Sequence, residues 1–298
     1  MDRSVGSGSG SPPTVSRVEV PVDTRAATGT TNAYLASGLL VDPAARTAAL
    51  DAAVTDPGSA ADDDAGAGIE AIAVTHTHPD HVGAVADYAA RTGAAVHAHA
   101  DHVDRFREAT GVDPDATFRD GDAIGTTGVR ALDTPGHAPD HVAFAVGDEG
   151  GGGGSGGVGG GCGSSGVDDD ATGTEPLVGD LAIAAGTVVV GAPEGDIREY
   201  LASLERVRDA GFARLHPGHG PAVEDPAATC ERLIDHRLAR EQRVLAAVEA
   251  GASDVDAVLE AAYAEDLTGV EDLARATVRA HLEKLAAEGR IAPAWSDG

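Results

Sequence analysis

The sequence predicts a layered α/β domain over residues 14–223, followed by a small helical domain over residues 224–298. In the first segment, short runs of β-branched apolar residues alternate with stretches of helical periodicity, which is typical of α/β domains. After Pro226 the pattern becomes helical, and three predicted helices with one short strand outline a winged helix. A chain of 298 residues is long enough for both units.

Taken in order, the first strand is predicted at 15–22, because Val18, Val20 and Val22 alternate with polar residues on one face. Pro43 predicts the start of a helix, and Gly289 the end of the last one. The other predicted strands are 32–35 and 38–42 (a hairpin), 69–75, 94–97, 129–133, 142–146, 177–180, 187–190, 213–215 and 290–292. The predicted helices are 43–54, 80–91, 101–109, 196–209, 226–250, 255–262 and 270–288.

Three segments have a polar or low-complexity composition, and the last of them is too poor in apolar residues to fold. Residues 1–13 are rich in glycine, serine and proline and are predicted to be disordered. Residues 56–68 form an acidic loop, and 149–175 form an insert of glycine, serine and aspartate. Because the insert lies between two predicted strands, we expect a flexible surface loop rather than a domain linker.

The charge balance is strongly acidic, with 49 acidic and 21 basic residues and a net charge of −28. Lys284 is the only lysine, and the acidic residues are spread along the chain. This composition favours a halophilic protein, while an ordinary acidic protein from an Ala/Gly-rich proteome is the alternative. With no stretch of eighteen apolar residues and no apolar secretory signal at the start, a cytoplasmic location without membrane insertion is expected. The two cysteines, Cys162 and Cys230, cannot form a cysteine-based zinc site.

The segment His76-Thr77-His78-Pro79-Asp80-His81 carries the strongest functional signal. It follows the buried strand predicted at 69–75, and Pro79 ends the extended backbone. In extended chain, residues i and i+2 point the same way, so His76 and His78 are expected to share one side. Four nitrogen or oxygen donors at one strand-to-helix corner predict a divalent metal site rather than a polar surface turn.

Three more donors stand where predicted strands end. His137 follows a Pro-Gly turn, Asp180 follows Leu177-Val178-Gly179, and His219 lies in a Pro-Gly-His-Gly turn. A single turn histidine is more often solvated than metal-bound, so each is weak evidence alone. Their order along the chain, after the corner motif, makes one shared site the stronger interpretation.

At these residues the chain resembles the metallo-β-lactamase superfamily, over about Val15 to Pro221. The resemblance implies a four-layer αββα sandwich with two metal ions at one edge of its sheets. It assigns the first ion to His76, His78 and His137, the second to Asp80, His81 and His219, and a bridging role to Asp180.

The C-terminal part resembles the β-lactamase-like endoribonuclease branch, also described as hydroxyacylglutathione-hydrolase-like, which ends in a winged-helix-type domain. The residues that carry this likeness are Gly218-His219-Gly220-Pro221, His236-Arg237, Arg240-Glu241-Gln242, 280–285 and 289–291. The glycine-rich insert departs from that pattern, and His216 stands where tyrosine is more usual.

The chemistry implied is hydrolysis, because two divalent ions about 3.5–4 Å apart lower the pKa of a shared water toward 7 and supply hydroxide. Asp80 would bind metal and also orient that water or accept its proton. The imidazole ligands favour zinc, and the carboxylates also admit manganese or iron. The preferred function is hydrolysis of an ester or thioester in a small-molecule substrate.

The alternative function is an endoribonuclease acting on single-stranded RNA. Residues 224–298 contain 16 acidic and 8 basic residues, a net charge of −8, which disfavours contact with phosphates. A third, non-enzymatic hypothesis makes the last domain an interaction or dimerisation module. The oligomeric state, including a homodimer, stays open.

Several polar residues have two interpretations. Asp42 supports a metal-binding histidine or caps a helix, and His141 faces the substrate or lies in a plain turn. The histidines at 97, 99 and 102 are expected to be surface or packing residues. The arginines at 237, 240 and 243 are expected on a solvated helix face rather than in a phosphate clamp.

Overall fold

The structure is a computed structural model that describes residues 15–55, 68–147, 174–264 and 266–295. The disordered start expected at 1–13, nearly all of the acidic loop 56–68 and nearly all of the insert 149–175 lie outside these residues. Among the described residues, no helix combines the length and the apolarity needed to cross a membrane.

The first sheet has six strands in sequence order, with an antiparallel half and a parallel half. Its strands are β1 (Ser16–Pro21), β2 (Thr30–Ala36), β3 (Leu39–Val41), β4 (Ala71–Ala73), β5 (Ala95–His99) and β6 (Ala116–Phe118). The helices between them are α1 (Ala48–Thr55), α2 (Pro79–Val82), α3 (Val85–Thr92) and α4 (Val103–Thr110). The hairpin expected from residues 32–42 is confirmed, since β2 and β3 pair antiparallel, whereas β3 to β6 pair parallel.

The second sheet has four strands, of which the last two in the chain are parallel neighbours. They are β7 (Arg130–Asp133), β8 (Val142–Val146), β9 (Glu175–Gly179) and β10 (His216–Pro217), and helix α5 (Ile197–Asp209) precedes β10. Asp196 caps α5, because its carboxylate accepts the backbone N–H groups of Arg198 and Glu199.

Alternation along the strands divides the core into layers. In β4, Ile72 packs with the helices α1, α3 and α4 on the outer face of the first sheet, while Ala71 and Ala73 face the second sheet. In β8, Phe144 faces the first sheet and Ala143 packs outward with α5. Successive strand residues point to opposite faces, so the order of layers is helix, sheet, sheet, helix. The four-layer αββα architecture is confirmed.

Three helices complete the chain: α6 (Pro226–Glu249), α7 (Val255–Ala262) and α8 (Glu271–Ala287). The strand expected at 290–292 is wrong, since these residues form no strand and a 3-10 turn, Pro293–Trp295, follows. Gly289 turns the chain with a φ of 68°, and the Arg290 N–H group donates to the carbonyl oxygen of Leu285. The described part of the C-terminal region therefore contains three helices and no β-ribbon, and both the winged helix and the domain boundary at 223/224 stay predictions.

Residues 187–190 are not a strand either, although the sequence pattern predicts one. The carbonyl oxygen of Val189 accepts a hydrogen bond from His137, and that of Val188 accepts one from Arg237. Side chains take the positions where a neighbouring strand would bind, so the segment does not join a sheet.

Other differences concern where elements begin. The helix expected from Pro43 begins at Ala48, where the Thr47 hydroxyl accepts the backbone N–H group of Leu50 and caps the helix. The helix expected at 80–91 is divided at Gly83, where an added Cβ would lie 2.4 Å from the carbonyl oxygen of Ala44. The strand expected at 213–215 lies at His216–Pro217, and β6 has no counterpart in the prediction.

The solvated arginine face expected on α6 is wrong for Arg237 and Arg240, which are buried. Arg237 donates to Thr187 Oγ1 at 2.7 Å, and the Arg240 guanidinium lies 3.5 Å from the ring centre of Tyr263. Both arginines therefore pack α6 against its neighbours, and of the three only Arg243 is exposed.

Candidate metal centre

The candidate site lies where strands of both sheets end. Asp42 follows β3 and His76 follows β4 by three residues, while Asp180 follows β9 and His219 follows β10. The turn between β7 and β8 adds His137. Because parallel strands place their carboxyl ends at the same edge, these distant segments meet there.

His76, His78 and His137 form the first group of donors. His78 Nδ1 lies 3.0 Å from His76 Nε2 and 3.0 Å from His137 Nε2. Nitrogens bound tetrahedrally to one zinc ion at about 2.0–2.1 Å lie about 3.3 Å apart. The spacing therefore fits three ligands of a single ion.

The far nitrogen of each ring faces an acceptor, and this determines which nitrogen carries the proton. His78 Nε2 lies 3.0 Å from a carboxylate oxygen of Glu194, and His137 Nδ1 lies 2.6 Å from the carbonyl oxygen of Val189. His76 Nδ1 lies 3.1 Å from Thr75 Oγ1, whose own proton is donated to Asp42. In the neutral rings the three converging nitrogens are the ones without a proton, and their lone pairs repel one another unless a cation lies between them.

Asp80, His81 and His219 form the second group. His219 Nδ1 donates to the carbonyl oxygen of Thr30 at 2.8 Å, which leaves Nε2 facing Asp80 Oδ2 at 3.7 Å. His81 Nδ1 donates to Asp42 at 2.9 Å, and its Nε2 is buried without a hydrogen-bond partner. As in the first group, one nitrogen of each ring is held by an acceptor and the other nitrogen is directed toward the other donors.

Asp180 lies between the two groups. Its Oδ2 is 3.7 Å from His137 Nε2, and its Oδ1 is 3.4 Å from His219 Nε2 and 3.7 Å from His81 Nε2. Oδ1 is also buried without a hydrogen-bond partner. A carboxylate with one oxygen toward each group has the position of a bridging ligand.

The electrostatics match a site for cations. Burial lowers the pKa of His137 to about 4, so this ring is neutral at pH 7. Burial alone would also lower the pKa of His81, but Asp42, Asp180 and Asp80 outweigh it and raise that pKa to about 9. For Asp180, burial alone would raise the pKa, but the nearby His219, His81 and His137 outweigh burial and hold that pKa below its ordinary value. The carboxylates of Asp42, Asp80 and Asp180 thus concentrate negative charge around the nitrogens that would bind cations.

Asp42 lies against His81 and not at a helix terminus. Its carboxylate is fully buried and accepts hydrogen bonds from Thr75 N, Thr75 Oγ1 and His81 Nδ1, at 2.7, 2.7 and 2.9 Å. Of the two interpretations offered by the sequence, the geometry therefore matches support of a ligand histidine.

His141 does not face a substrate, and it is not a solvated turn residue. It is buried, it accepts the backbone N–H group of Asp180 on Nε2 at 3.1 Å, and its Nδ1 donates to Thr134 Oγ1 at 2.9 Å. Burial lowers its pKa to about 3, which keeps the ring neutral and able to accept. His141 thus fixes the backbone of Asp180.

Two glycines allow the segments of the site to approach one another closely. A Cβ on Gly218 would lie 2.7 Å from Asp180 Oδ1 and 2.8 Å from His81 Cε1. Gly179 has a φ of 47°, and a Cβ there would lie 2.5 Å from Thr75 Oγ1. Neither position has room for a side chain.

The turn that carries His219 is held by β2. Asn32 Nδ2 donates to the carbonyl oxygens of Pro217 and Gly220, both at 2.8 Å. The Tyr34 hydroxyl also donates to Pro217, at 2.7 Å. These contacts join β2 to the turn that carries His219, the last donor in the chain.

Besides Thr75, which contacts His76, sequence reasoning missed two loop residues that touch the donors. Thr24 Oγ1 donates to Asp80 Oδ2 at 2.5 Å from the loop between β1 and β2, and Glu194 accepts from His78. Both stand in loops without periodicity or motif, so no local signal distinguishes them. The histidines expected to be surface or packing residues lie outside both donor groups: His97 is buried, and His99 lies 3.3 Å from Asp133.

A family model, a curated relative and a solved structure all match most of the chain. A family model described as "Metallo-beta-lactamase superfamily" matches residues 26–219. A Drosophila melanogaster protein, "Beta-lactamase-like protein 2 homolog", is 30% identical over 76% of this chain and 71% of its own length. A "metallo-beta-lactamase family protein" from Thermus thermophilus shares the fold with a TM-score of 0.65 and 24% identity, over 92% of this chain and 94% of its own.

Two fungal relatives are longer proteins. The "Lactamase-like protein vrtG" of Penicillium aethiopicum is 31% identical over 60% of this chain and 48% of its own length. The "Atrochrysone carboxyl ACP thioesterase" of Aspergillus fumigatus is 28% identical over 61% of this chain and 48% of its own. The chain spans about half the length of each.

Proposed function

The chain belongs to the metallo-β-lactamase superfamily of hydrolases, and we propose that it uses two divalent metal ions to hydrolyse an ester or thioester in a small-molecule substrate. One observation carries the proposal: all five donor histidines have one ring nitrogen anchored by an acceptor and the other directed to a common centre. Such anchoring is what metal-binding histidines require.

The residues would divide the task as follows. His76, His78 and His137 would hold one ion, Asp80, His81 and His219 the other, and Asp180 both. The chemistry that two bound divalent ions supply is a lowered pKa for water and neutralisation of negative charge on the attacked group.

Asp80 would be the catalytic residue. Its carboxylate side chain is 19% exposed, so one edge can reach a water, while Thr24 fixes the orientation of Oδ2. From that position it would orient the attacking water and accept its proton.

Zinc is the ion that we propose for this centre. Five imidazole nitrogens and two carboxylates form a donor set that zinc binds well, and that manganese and iron also accept. The donor set contains no cysteine among the described residues.

A thioester is the favoured substrate class. The fungal relative named as an acyl carrier protein thioesterase supports it, as a protein that aligns with 61% of this chain. The endoribonuclease alternative is the weaker proposal, because residues 224–298 carry a net charge of −8 (16 acidic and 8 basic residues). Two of those basic residues, Arg237 and Arg240, are buried and cannot reach phosphates.

The test is a pair of assays on protein purified in high salt and loaded with zinc or manganese. A panel of thioesters and a labelled single-stranded RNA are incubated with the unsubstituted protein, with Asp80→Ala and with Asp87→Ala, which removes an exposed aspartate on α3. Thioester hydrolysis that is lost only in Asp80→Ala supports the proposal. RNA cleavage with the same dependence would replace it by the alternative, and no turnover of either substrate by the metal-loaded protein would refute both.

A further inference from the structure

His78 is the donor histidine with the most exposed side chain, at 27%. Its outer nitrogen, Nε2, lies 3.0 Å from Glu194 Oε2. We propose that Glu194 is a positioning residue, which holds the ring of His78 with Nδ1 toward the metal centre, and that Arg105 holds Glu194 in place. The inference rests on the proposed metal centre and adds two residues to it.

The other donor histidines are anchored differently. His137 and His219 donate to backbone carbonyl oxygens, and His81 donates to a carboxylate that is fully buried. His78 has no such internal acceptor among its hydrogen bonds in the described chain, and water can compete for Nε2. A carboxylate is the acceptor that best retains a ring N–H group in contact with solvent, because a hydrogen bond to a charged acceptor is stronger than one to a neutral acceptor.

Arg105 fixes both oxygens of Glu194. Its Nη1 donates to Oε1 at 3.1 Å and its Nη2 to Oε2 at 3.0 Å, which is a bidentate pair. The Nε of the same guanidinium donates to Thr77 Oγ1 at 2.8 Å and to Asp140 Oδ1 at 3.0 Å. Since Thr77 lies between His76 and His78 in the chain, Arg105 ties Glu194 to the segment whose ligand it orients.

The loop that carries Glu194 is also held by hydrogen bonds within the loop and to helix α8. Gly195 N–H donates to the carbonyl oxygen of Gly191 at 2.8 Å, and Ala192 N–H donates to that of Ala276 on α8 at 3.0 Å. A Cβ on Gly191 would lie 2.7 Å from the Cβ of Ala276, so loop and helix are in close contact. The C-terminal helices thereby support one ligand of the first donor group.

The experiment measures zinc affinity site by site. Glu194→Ala and Glu194→Gln are compared with Glu224→Gln, a matched control in which an exposed glutamate also accepts two hydrogen bonds from an arginine, Arg214. Zinc dissociation constants are obtained by competition with a chromophoric chelator. The visible spectrum of the cobalt-loaded protein reports the ligand geometry, and the melting temperature of the metal-free protein reports folding.

Loss of a histidine's hydrogen-bond partner typically weakens metal binding about 10–100-fold. We expect Glu194→Ala to weaken one of two zinc sites by about 10–100-fold and to change the cobalt spectrum. Glu194→Gln should cause a smaller change in the same direction, because the amide oxygen can still accept. The metal-free melting temperature should stay at the unsubstituted value, and Glu224→Gln should match the unsubstituted protein throughout.

Arg105→Gln tests whether Arg105 holds Glu194 in place. It should weaken the same zinc site, and the double variant Arg105→Gln/Glu194→Ala should bind no more weakly than Glu194→Ala, since the arginine acts through the glutamate. Additive losses would overturn the role of Arg105. Normal zinc affinities and cobalt spectrum in Glu194→Ala, with two sites filled in the unsubstituted protein, would overturn this inference alone. Failure of the unsubstituted protein to bind zinc would overturn the proposed function and this inference with it.

Discussion

His78 Nδ1 lies 3.0 Å from His137 Nε2, and in the neutral rings the acceptors on the far side leave neither of these two nitrogens with a proton. Two lone pairs at this distance are unfavourable in a buried site. A divalent cation turns the same arrangement into a pair of ligands, so the folded protein should depend on metal for part of its stability.

Removal of metal should therefore destabilise the protein. A site that is filled at a free zinc concentration of about 100 times its dissociation constant stabilises the fold by about 2.7 kcal/mol. The melting temperature, measured with zinc and after chelation, should fall on chelation and recover when zinc is restored. The fall in melting temperature on chelation should be smaller in His137→Gln than in the unsubstituted protein, and unchanged in His99→Gln. An equal fall in all three proteins would contradict the assignment of His137 as a metal ligand.

Asp42→Asn should reduce both stability and metal affinity. The amide keeps the size of the side chain and tolerates the φ of 51°, but only one of its two polar atoms accepts hydrogen bonds. The remaining donors, Thr75 and His81, are buried, so we expect the free energy of unfolding to fall by about 1–3 kcal/mol. Chemical denaturation measures it. Asp87→Asn, on the exposed face of α3, should change it by less than about 0.5 kcal/mol, and equal effects would count against the role of Asp42.

Gly218→Ala should distort the centre while Gly68→Ala does not. The new methyl group would lie 2.7 Å from Asp180 Oδ1 and 2.8 Å from His81 Cε1, whereas no atom lies within 4 Å of the Cβ position at Gly68 among the residues that the structure describes. Zinc titration should show weaker binding in Gly218→Ala only. Unchanged binding in that variant would mean that the donors are not held as closely as the geometry requires.

Acid should destabilise the C-terminal helices through Glu241. Burial alone would raise the pKa of this group, but contacts with His281 and Lys284 outweigh it and lower the pKa from 4.5 to about 2. A group with a lowered folded-state pKa stabilises the fold above its unfolded value, and this stabilisation is lost as the pH falls from about 4.5 toward 2. Urea unfolding between about pH 6 and pH 2.5 should therefore show less acid sensitivity in Glu241→Gln than in the control Glu231→Gln. Equal acid sensitivity of the two variants would mean that Glu241 is not the source of the acid destabilisation.

Salt should stabilise the protein. A net charge of −28 makes the folded chain repel itself, and added ions screen that repulsion. We expect the melting temperature to rise as sodium chloride is increased from low to molar concentration. A melting temperature that stays constant or falls over this range would refute the halophilic interpretation.

Local patterns predicted much of the fold. The hairpin of β2 and β3 and the helix α7 follow from periodicity and turn residues, and the observed bounds of α7, Val255–Ala262, equal the predicted ones. The seven donor residues could be found because their spacing is local at 76–81 and because each of the others stands beside a glycine or after a strand. The structure brings all seven together, and their binding of metal stays a proposal.

Several of the failures share one cause, which is contact between distant segments. Residues 187–190 have the composition of a strand, but side chains of His137 and Arg237 bind their carbonyl groups. Arg237 has the spacing of a surface residue on α6, yet its partners lie in that same distant segment. Glu194 and Thr24 touch donors from loops without a motif. No local pattern encodes such partners.

The most direct test of the central claim is elemental analysis of the protein after saturation with zinc and dialysis. The seven converging donors predict two equivalents of zinc in the unsubstituted protein and about one in His137→Ala, with His99→Ala retaining two. One equivalent or less in the unsubstituted protein would contradict the claim that these side chains hold a pair of metal ions.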